Sequence, residues 1–200
     1  MEHIYVVFAD DKSVKPFIKF LLRKDEWLDR FKNLRNALEN QMQPWRLAIL
    51  RTDAEPVFTS ERVNDYCRET GLEHEVSAPY RKEGNGVIER VQGTLGPMTR
   101  TMMVDGGAPN SEFPHAARYA VTLMGYLPHS RHKGRSPNSV WTGVEDLPMS
   151  SRIMRAGSFV SSSPWCMMRN GASTKTGAGR GSILGSTTIR LTSSGTCILT

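Results

Sequence analysis

The stretch from Leu47 to Arg90 constrains the fold more than any other part of the sequence. An apolar run at 47–50 is typical of a strand, and Asp53 follows it closely. A helix-opening segment at 85–90 comes after a turn-rich stretch, so that 35 residues lie between Asp53 and Glu89. Two such carboxylates can bind hard divalent cations if the fold brings them together. On spacing alone, a pair of unrelated surface carboxylates is the simpler interpretation.

Hydrophobic periodicity elsewhere predicts alternating strands and helices. The strands are expected at 3–9, 14–22, 45–50 and 72–78, the first two as a hairpin, and the helices at 24–43, from residue 60 to Gly71, from residue 85 onward and at 112–127. The polar face of the helix at 24–43 should be solvated, and the three cysteines should be buried or incidental thiols. The residues expected to face inward include Trp27, Phe31, Leu34, Leu38, Cys67, Leu72, His74, Val76, Phe113, Ala116, Ala117, Ala120, Met124 and Leu127. We expect Asp10 and Asp11 to be turn residues and not metal ligands, and His74 to be a structural histidine. Pro97 should interrupt and kink the helix that begins near residue 85, because proline lacks a backbone donor.

Composition predicts one globular domain at 1–145 and a Ser/Thr/Gly-rich, poorly structured tail at 146–200. Residues 1–146 hold 20 basic and 20 acidic side chains, whereas residues 147–200 hold six basic and no acidic ones. The net charge of +6 therefore comes from the tail, and DNA binding by the core must depend on local patches. We expect a soluble intracellular protein with no membrane partner, because no apolar run approaches membrane-spanning length.

Several short motifs in a fixed order carry a resemblance. They are Arg51-Thr52-Asp53, Phe58-Thr59-Ser60, Tyr66-Cys67, Gly71 to His74, Ser77 to Tyr80, Asn85 to Arg90, and Ser136-Pro137 before Trp141-Thr142-Gly143. Together they resemble the integrase catalytic core of copia-type retrotransposon polyproteins, over roughly residues 3–160. The resemblance implies an RNase H-like α/β fold, a mixed sheet flanked by helices. It also implies DNA strand transfer with Mg²⁺ or Mn²⁺, DNA as a partner, and a nuclear location.

The same resemblance assigns roles to individual residues. Asp53 and Glu89 match the second and third catalytic carboxylates, which bind the metal ions. The nucleic-acid-binding residues that we expect from the matching motifs and the basic loops are Arg81, Lys82, Asn85, Arg90, Arg131, Lys133 and Arg135. Partner molecules expected besides DNA are further copies of this chain or intact integrase copies.

The sequence also departs from the family. The strand that carries the first catalytic aspartate would precede Met1, and Ala54-Glu55-Pro56-Val57 replaces the usual Asn-Gly-Gly-Glu. We therefore expect an inactive fragment whose sheet is marginal, or rearranged so that 3–9 closes towards 47–50. The alternatives are a non-catalytic nucleic-acid-binding remnant and an RNase H-like nuclease. A further hypothesis is that the tail beyond about residue 160 is read out of frame.

Overall fold

The computed structural model describes residues 3–77, 86–145 and 181–193. The strands are β1 (His3–Asp10), β2 (Pro16–Leu21), β3 (Trp45–Thr52), β4 (Glu73–Val76) and β5 (Gly181–Ser193). The helices are α1 (Trp27–Gln41), α2 (Glu61–Thr70), α3 (Gly86–Gly106), α4 (Phe113–Tyr126) and α5 (Pro137–Thr142). Two compact units are present: one holds Ile4–Val91 with Ile183–Thr200, and the other holds Met1–His3 with Gln92–Ser182.

One mixed sheet contains all five strands, in the order β2-β1-β5-β3-β4. β1 and β2 form the predicted antiparallel hairpin, in which Val7 lies opposite Ile18. β3 and β4 run parallel, with Leu50 opposite His74. β5 runs antiparallel to β3, with Leu50 opposite Ile189.

The position of β5 corrects two expectations. The sequence predicted a sheet that is marginal, or rearranged so that the first strand closes towards 47–50, and the second alternative is wrong because β5 lies between β1 and β3. Residues 181–193 also belong to the tail that was expected to lack structure, and they form a 13-residue strand. A strand in this position supplies backbone partners to both neighbours, whose inner edges would otherwise lack them. The rest of the tail, 146–180 and 194–200, lies outside the described residues, and the frameshift hypothesis remains untested.

The core of the sheet unit lies between β1, β3 and the helices α1 and α2. Val6, Val7, Phe8 and Ala9 of β1 are fully buried. The Phe8 ring stacks on Phe31 of α1, with 5.8 Å between the ring centroids. The predicted apolar face of α1, formed by Trp27, Phe31, Leu34 and Leu38, is buried throughout.

The ends of α2 follow the sequence signals. The helix begins after Ser60 and ends at Gly71, whose φ of 64° is the left-handed conformation that glycine adopts without steric cost. Cys67 of this helix is a buried thiol, as expected. Cys166 and Cys197 lie outside the described residues.

Three details differ from the predictions. α3 continues through Pro97 as one helix from Gly86 to Gly106 in place of the predicted interruption. Val76 was expected to face inward, but it is 44% exposed, because β4 is an edge strand. Leu127 was also expected to be buried and is 38% exposed, because it lies just after the end of α4.

The second unit contains most of α3 together with α4 and α5. The buried face of α4 consists of Phe113, Ala116, Ala117 and Ala120, as predicted. Among the described helices, none combines the length and the apolar character that crossing a membrane would require.

Candidate metal and nucleic-acid site

Asp53 lies directly after β3, which pairs with β5 on one side and with β4 on the other. Thr52 is fully buried, and its carbonyl oxygen accepts a hydrogen bond of 2.8 Å from the backbone N–H of Ser77. Asp53 itself is half-buried, and its Oδ1 atom is shielded from solvent. The strand therefore presents this carboxylate from a fixed backbone position, as the sequence predicted for the strand end.

A second carboxylate, Glu55, lies near Asp53. Partial burial raises the pKa of Glu55, the negative charge of Asp53 raises it further, and Lys24 acts in the opposite direction. Two carboxylates that repel each other in this way lower their joint charge by binding either a proton or a cation. In the sequence, Glu55 belongs to the segment that departs from the resembled family; in the structure, its carboxylate lies within electrostatic range of Asp53.

The loop that carries Glu55 is anchored by aromatic packing. The backbone N–H of Phe58 donates to the carbonyl oxygen of Glu55 at 2.9 Å, which closes a turn. The Phe58 side chain is fully buried and meets the ring of Trp27 edge to face at 4.6 Å. Trp27 Nε1 donates to the carbonyl oxygen of Val57 at 3.0 Å. These contacts hold the turn after Asp53 against α1.

Glu89 lies in the first turn of α3 and is exposed. Its neighbours Ile88 and Val91 are buried and fix the orientation of this part of the helix. The guanidinium Nε of Arg90 donates to the carbonyl oxygen of Gly86 at 3.1 Å. Asp53 and Glu89 thus belong to the same compact unit. Within 3–77, 86–145 and 181–193, no group of three or more His, Cys, Asp or Glu side chains is arranged to hold a metal ion.

His74 is confirmed as a histidine with structural partners. Its Nε2 lies 3.0 Å from Thr52 Oγ1, and its Nδ1 lies 3.2 Å from Asn64 Oδ1. Burial lowers the pKa of His74. Because the ring connects β4 to β3 and to α2, it supports the strand that ends at Asp53.

Asp10 is confirmed as a turn residue. Its Oδ2 accepts hydrogen bonds from the backbone N–H of Ser13 at 2.6 Å and from the Ser13 hydroxyl at 2.7 Å. Burial raises the pKa of Asp10, although the two hydrogen bonds from Ser13 act against this rise. The carboxylate is thereby committed to the β1–β2 turn.

The predicted basic loop presents exposed cations. Arg131, Lys133 and Arg135 are exposed, and the loop contains a short 3₁₀ turn at Ser130–His132. The backbone N–H of Arg131 donates to the ring Nδ1 of His129 at 3.2 Å, and Arg135 Nη2 donates to the carbonyl oxygen of Ser139 at 3.3 Å. The predicted nucleic-acid-binding residues Arg81, Lys82 and Asn85 lie outside the described residues.

Solved structures identify the fold. A chain of the simian T-cell lymphotropic virus intasome, determined in complex with PP2A regulatory subunit B56 gamma, is similar with a TM-score of 0.55 and 16% sequence identity. The match covers 77% of this chain and 60% of that one. The HTLV-2 integrase catalytic core, determined with magnesium in a trimeric form, gives a TM-score of 0.52 at 15% identity and covers 70% of this chain and 95% of that one. The fold is that of an integrase catalytic core, which confirms the predicted RNase H-like class.

Sequence relatives narrow the class further. The chain is 30% identical over 141 residues to the retrovirus-related Pol polyprotein from transposon TNT 1-94 of Nicotiana tabacum, and the match covers 70% of this chain and 10% of the relative. It is 29% identical over 133 residues to the Pol polyprotein from transposon RE2 of Arabidopsis thaliana, covering 66% and 9%. No protein-family model matches. The chain is a homologue of transposon Pol polyproteins and spans about a tenth of their length.

Proposed function

We propose that this chain derives from the integrase core of a copia-type retrotransposon, whose reaction is metal-dependent transfer of a DNA strand. The observation that carries the proposal is the position of Asp53, directly after β3, an interior strand of an integrase-core fold. The transposon relatives support the same origin. DNA is the substrate that this origin implies, and the nucleus is the compartment in which it would be met.

Asp53 and Glu89 are the residues that would hold a divalent cation. Their carboxylate oxygens are the hard donors that Mg²⁺ and Mn²⁺ prefer, and the magnesium in the HTLV-2 core supports this choice of ion. In a strand-transfer enzyme, paired ions stabilise the attacking and leaving oxygens of the phosphodiester. The donors fit in kind, but the described residues provide no group of three such ligands.

We therefore propose that the chain binds a cation weakly and does not join DNA by itself. Loss of even a supporting outer contact costs a metal site about 10- to 100-fold in affinity or activity, and loss of a direct carboxylate ligand removes a charge as well. An intact integrase copy, as the partner expected from the sequence, would supply the complete ligand set. Activity would then depend on that partner.

The test compares three carboxylate variants for Mn²⁺ binding and for joining of labelled duplex ends. Asp53→Asn should abolish the paramagnetic broadening of amide signals next to residue 53, and Glu89→Gln should weaken it. Glu61→Gln is the matched control, since Glu61 is also an exposed carboxylate in the first turn of a helix. Broadening that survives Asp53→Asn would disprove the metal site. Strand transfer that is lost in Glu89→Gln would instead disprove the inactivity.

A second candidate function is nucleic-acid binding without catalysis. The exposure of Arg131, Lys133 and Arg135 within one loop favours it. A cationic side chain that neutralises a phosphate releases counterions from the nucleic acid. Removing one such side chain therefore makes the slope of log affinity against log salt concentration shallower by about 0.9. The double change Arg131→Gln with Lys133→Gln should reduce the slope by nearly twice that amount, whereas Lys12→Gln, in the β1–β2 turn, should leave it unchanged. Equal slopes for all three proteins would exclude this loop.

A further inference from the structure

The sheet contains a strand position that a distant part of the chain fills. β1 and β3 do not pair with each other, and β5 lies between them. β5 pairs with β3 from Trp45 opposite Ser193 to Thr52 opposite Thr187. We call the position between β1 and β3 the central channel. The backbone groups that line it on either side can be paired only by an added strand.

The two strands beside the central channel have mostly buried apolar side chains, whereas the strand that fills it is mostly polar in sequence. Residues 5–10 of β1 are all buried, and so are Leu47, Ile49 and Leu50 of β3. β5 has the sequence GSILGSTTIRLTS, in which four of the 13 residues are large and apolar. A segment with so few large apolar residues has little hydrophobic surface to bury. Backbone hydrogen bonds, which any copy of this segment can form equally well, must therefore account for much of its attachment.

The connection to β5 is long enough to reach another molecule. α5 ends at Thr142 and β5 begins at Gly181, which leaves 38 residues between them. An extended chain of that length spans up to about 125 Å, at 3.3 Å per residue. Residues 183–200 belong to the compact unit of β1 and β3, whereas the preceding 92–182 belong to the other unit.

We propose that the central channel is a strand-binding site for the Gly181–Ser193 segment of a second copy of this chain, so that two copies exchange β5. Exchange of an identical element preserves every hydrogen bond of the closed form, which makes it a low-cost route to a dimer. The donated strand would also border the candidate metal site, because Thr187 lies opposite Thr52, the residue before Asp53. Exchange and metal binding are independent, since the strand register involves no carboxylate.

Disulfide trapping in the full chain tests the proposal. Arg46 and Thr192 lie opposite each other in the β3–β5 register, and Arg46 is exposed, so that its replacement removes no core packing. In a Cys166→Ser, Cys197→Ser background, an Arg46→Cys chain is mixed with a Thr192→Cys chain under oxidising conditions at increasing concentration. The control donor is Ser193→Cys, whose side chain alternates to the other face of the sheet. Opposed residues of an antiparallel pair have the Cα separation that a disulfide requires.

The expected result is a disulfide-linked dimer from the Thr192→Cys donor that increases with concentration, and none from the Ser193→Cys donor. Adding Ile189→Pro to the Arg46→Cys chain disables its own strand and should increase the yield, because proline removes a ladder donor. If Arg46→Cys with Thr192→Cys in one chain forms only an internal disulfide, and mixing gives no dimer, the exchange is refuted. The proposal also fails if neither arrangement crosslinks, since β5 would then not occupy the channel.

Discussion

The Arg35–Glu39 pair gives the sharpest test of the energetics. Both residues lie on the face of α1 that the sequence predicted to be solvated, yet their side chains are only 9% and 16% exposed. Arg35 Nε donates to Glu39 Oε1 at 2.8 Å, and the backbone N–H of Leu47 donates to the same oxygen at 3.0 Å. Arg35 also donates to the Tyr66 hydroxyl at 3.3 Å. Glu39 thus links α1 to β3, and it also positions the Arg35 guanidinium, which links α1 to α2.

We predict that Glu39→Ala lowers the free energy of unfolding by about 4 kcal/mol. Removing one partner of a buried ion pair costs about 3 to 5 kcal/mol, and partial exposure places this pair at the lower end. The unpaired Leu47 N–H adds about 1 kcal/mol, the low end for an orphaned buried donor. Burial disfavours the charged form of Arg35, but in the folded protein its hydrogen bonds to Glu39 and Tyr66 raise its pKa overall. A guanidinium does not lose its proton in proteins, so Glu39→Ala leaves a buried cation without its carboxylate partner.

Urea denaturation monitored by circular dichroism measures this loss. The matched control is Arg62→Ala, which breaks the Arg62–Asp29 pair. That pair also connects α1 with α2 at 3.0 Å, but its side chains are 58% and 56% exposed. It should therefore cost only about 0.5 kcal/mol. If Glu39→Ala and Arg62→Ala destabilise the protein equally, burial does not determine the strength of these links, and the reasoning is wrong.

Three further predictions concern other parts of the molecule. Gly125→Ala should lower the free energy of unfolding by about 1 kcal/mol, because the new Cβ would lie 3.1 Å from Asn138 Oδ1 and this overpacking outweighs the better helix propensity of alanine. Thermal unfolding measures the loss. The control Gly93→Ala, which has open space around its Cβ, should be neutral or stabilising. The pKa of His74 is lowered by folding, so the unfolded chain binds more protons, and stability should fall as pH decreases through the unfolded value near 6.5. A pH titration of unfolding free energy should lose this step in His74→Gln. Asp10→Ala should cost about 1 to 3 kcal/mol by orphaning the turn donors, whereas Asp10→Asn, which keeps an acceptor and removes a buried charge, should cost less in the same assay.

Local signals predicted most of the elements. Alternation and apolar runs located β1 and β3, and the step of three and four residues located the buried face of α1. Gly71 marked the end of α2, because glycine adopts the left-handed conformation of that position without strain. The strand end at Asp53 followed from the same local pattern. These features depend on residues that are near each other in sequence, which is why the sequence alone predicted them.

Contacts between residues that are far apart in sequence could not be predicted in this way. The composition of Gly181–Ser193 predicts little packing, and only its backbone partners in β3 explain why it becomes a strand. Glu39 looked solvated because periodicity shows which helix face is polar but not what covers that face. The roles of Asp53 and Glu89 remain predictions.

The order in which the strands are synthesised has a consequence for folding on the ribosome. Leu50 and Ile189 are opposite each other in the sheet, but 138 residues lie between them along the chain. At about 5 to 20 residues per second, β3 waits roughly 7 to 30 seconds for its neighbour to be translated. During that interval the inner edges of β1 and β3 in the nascent polypeptide lack their backbone partners, and such unpaired edges can pair with other chains.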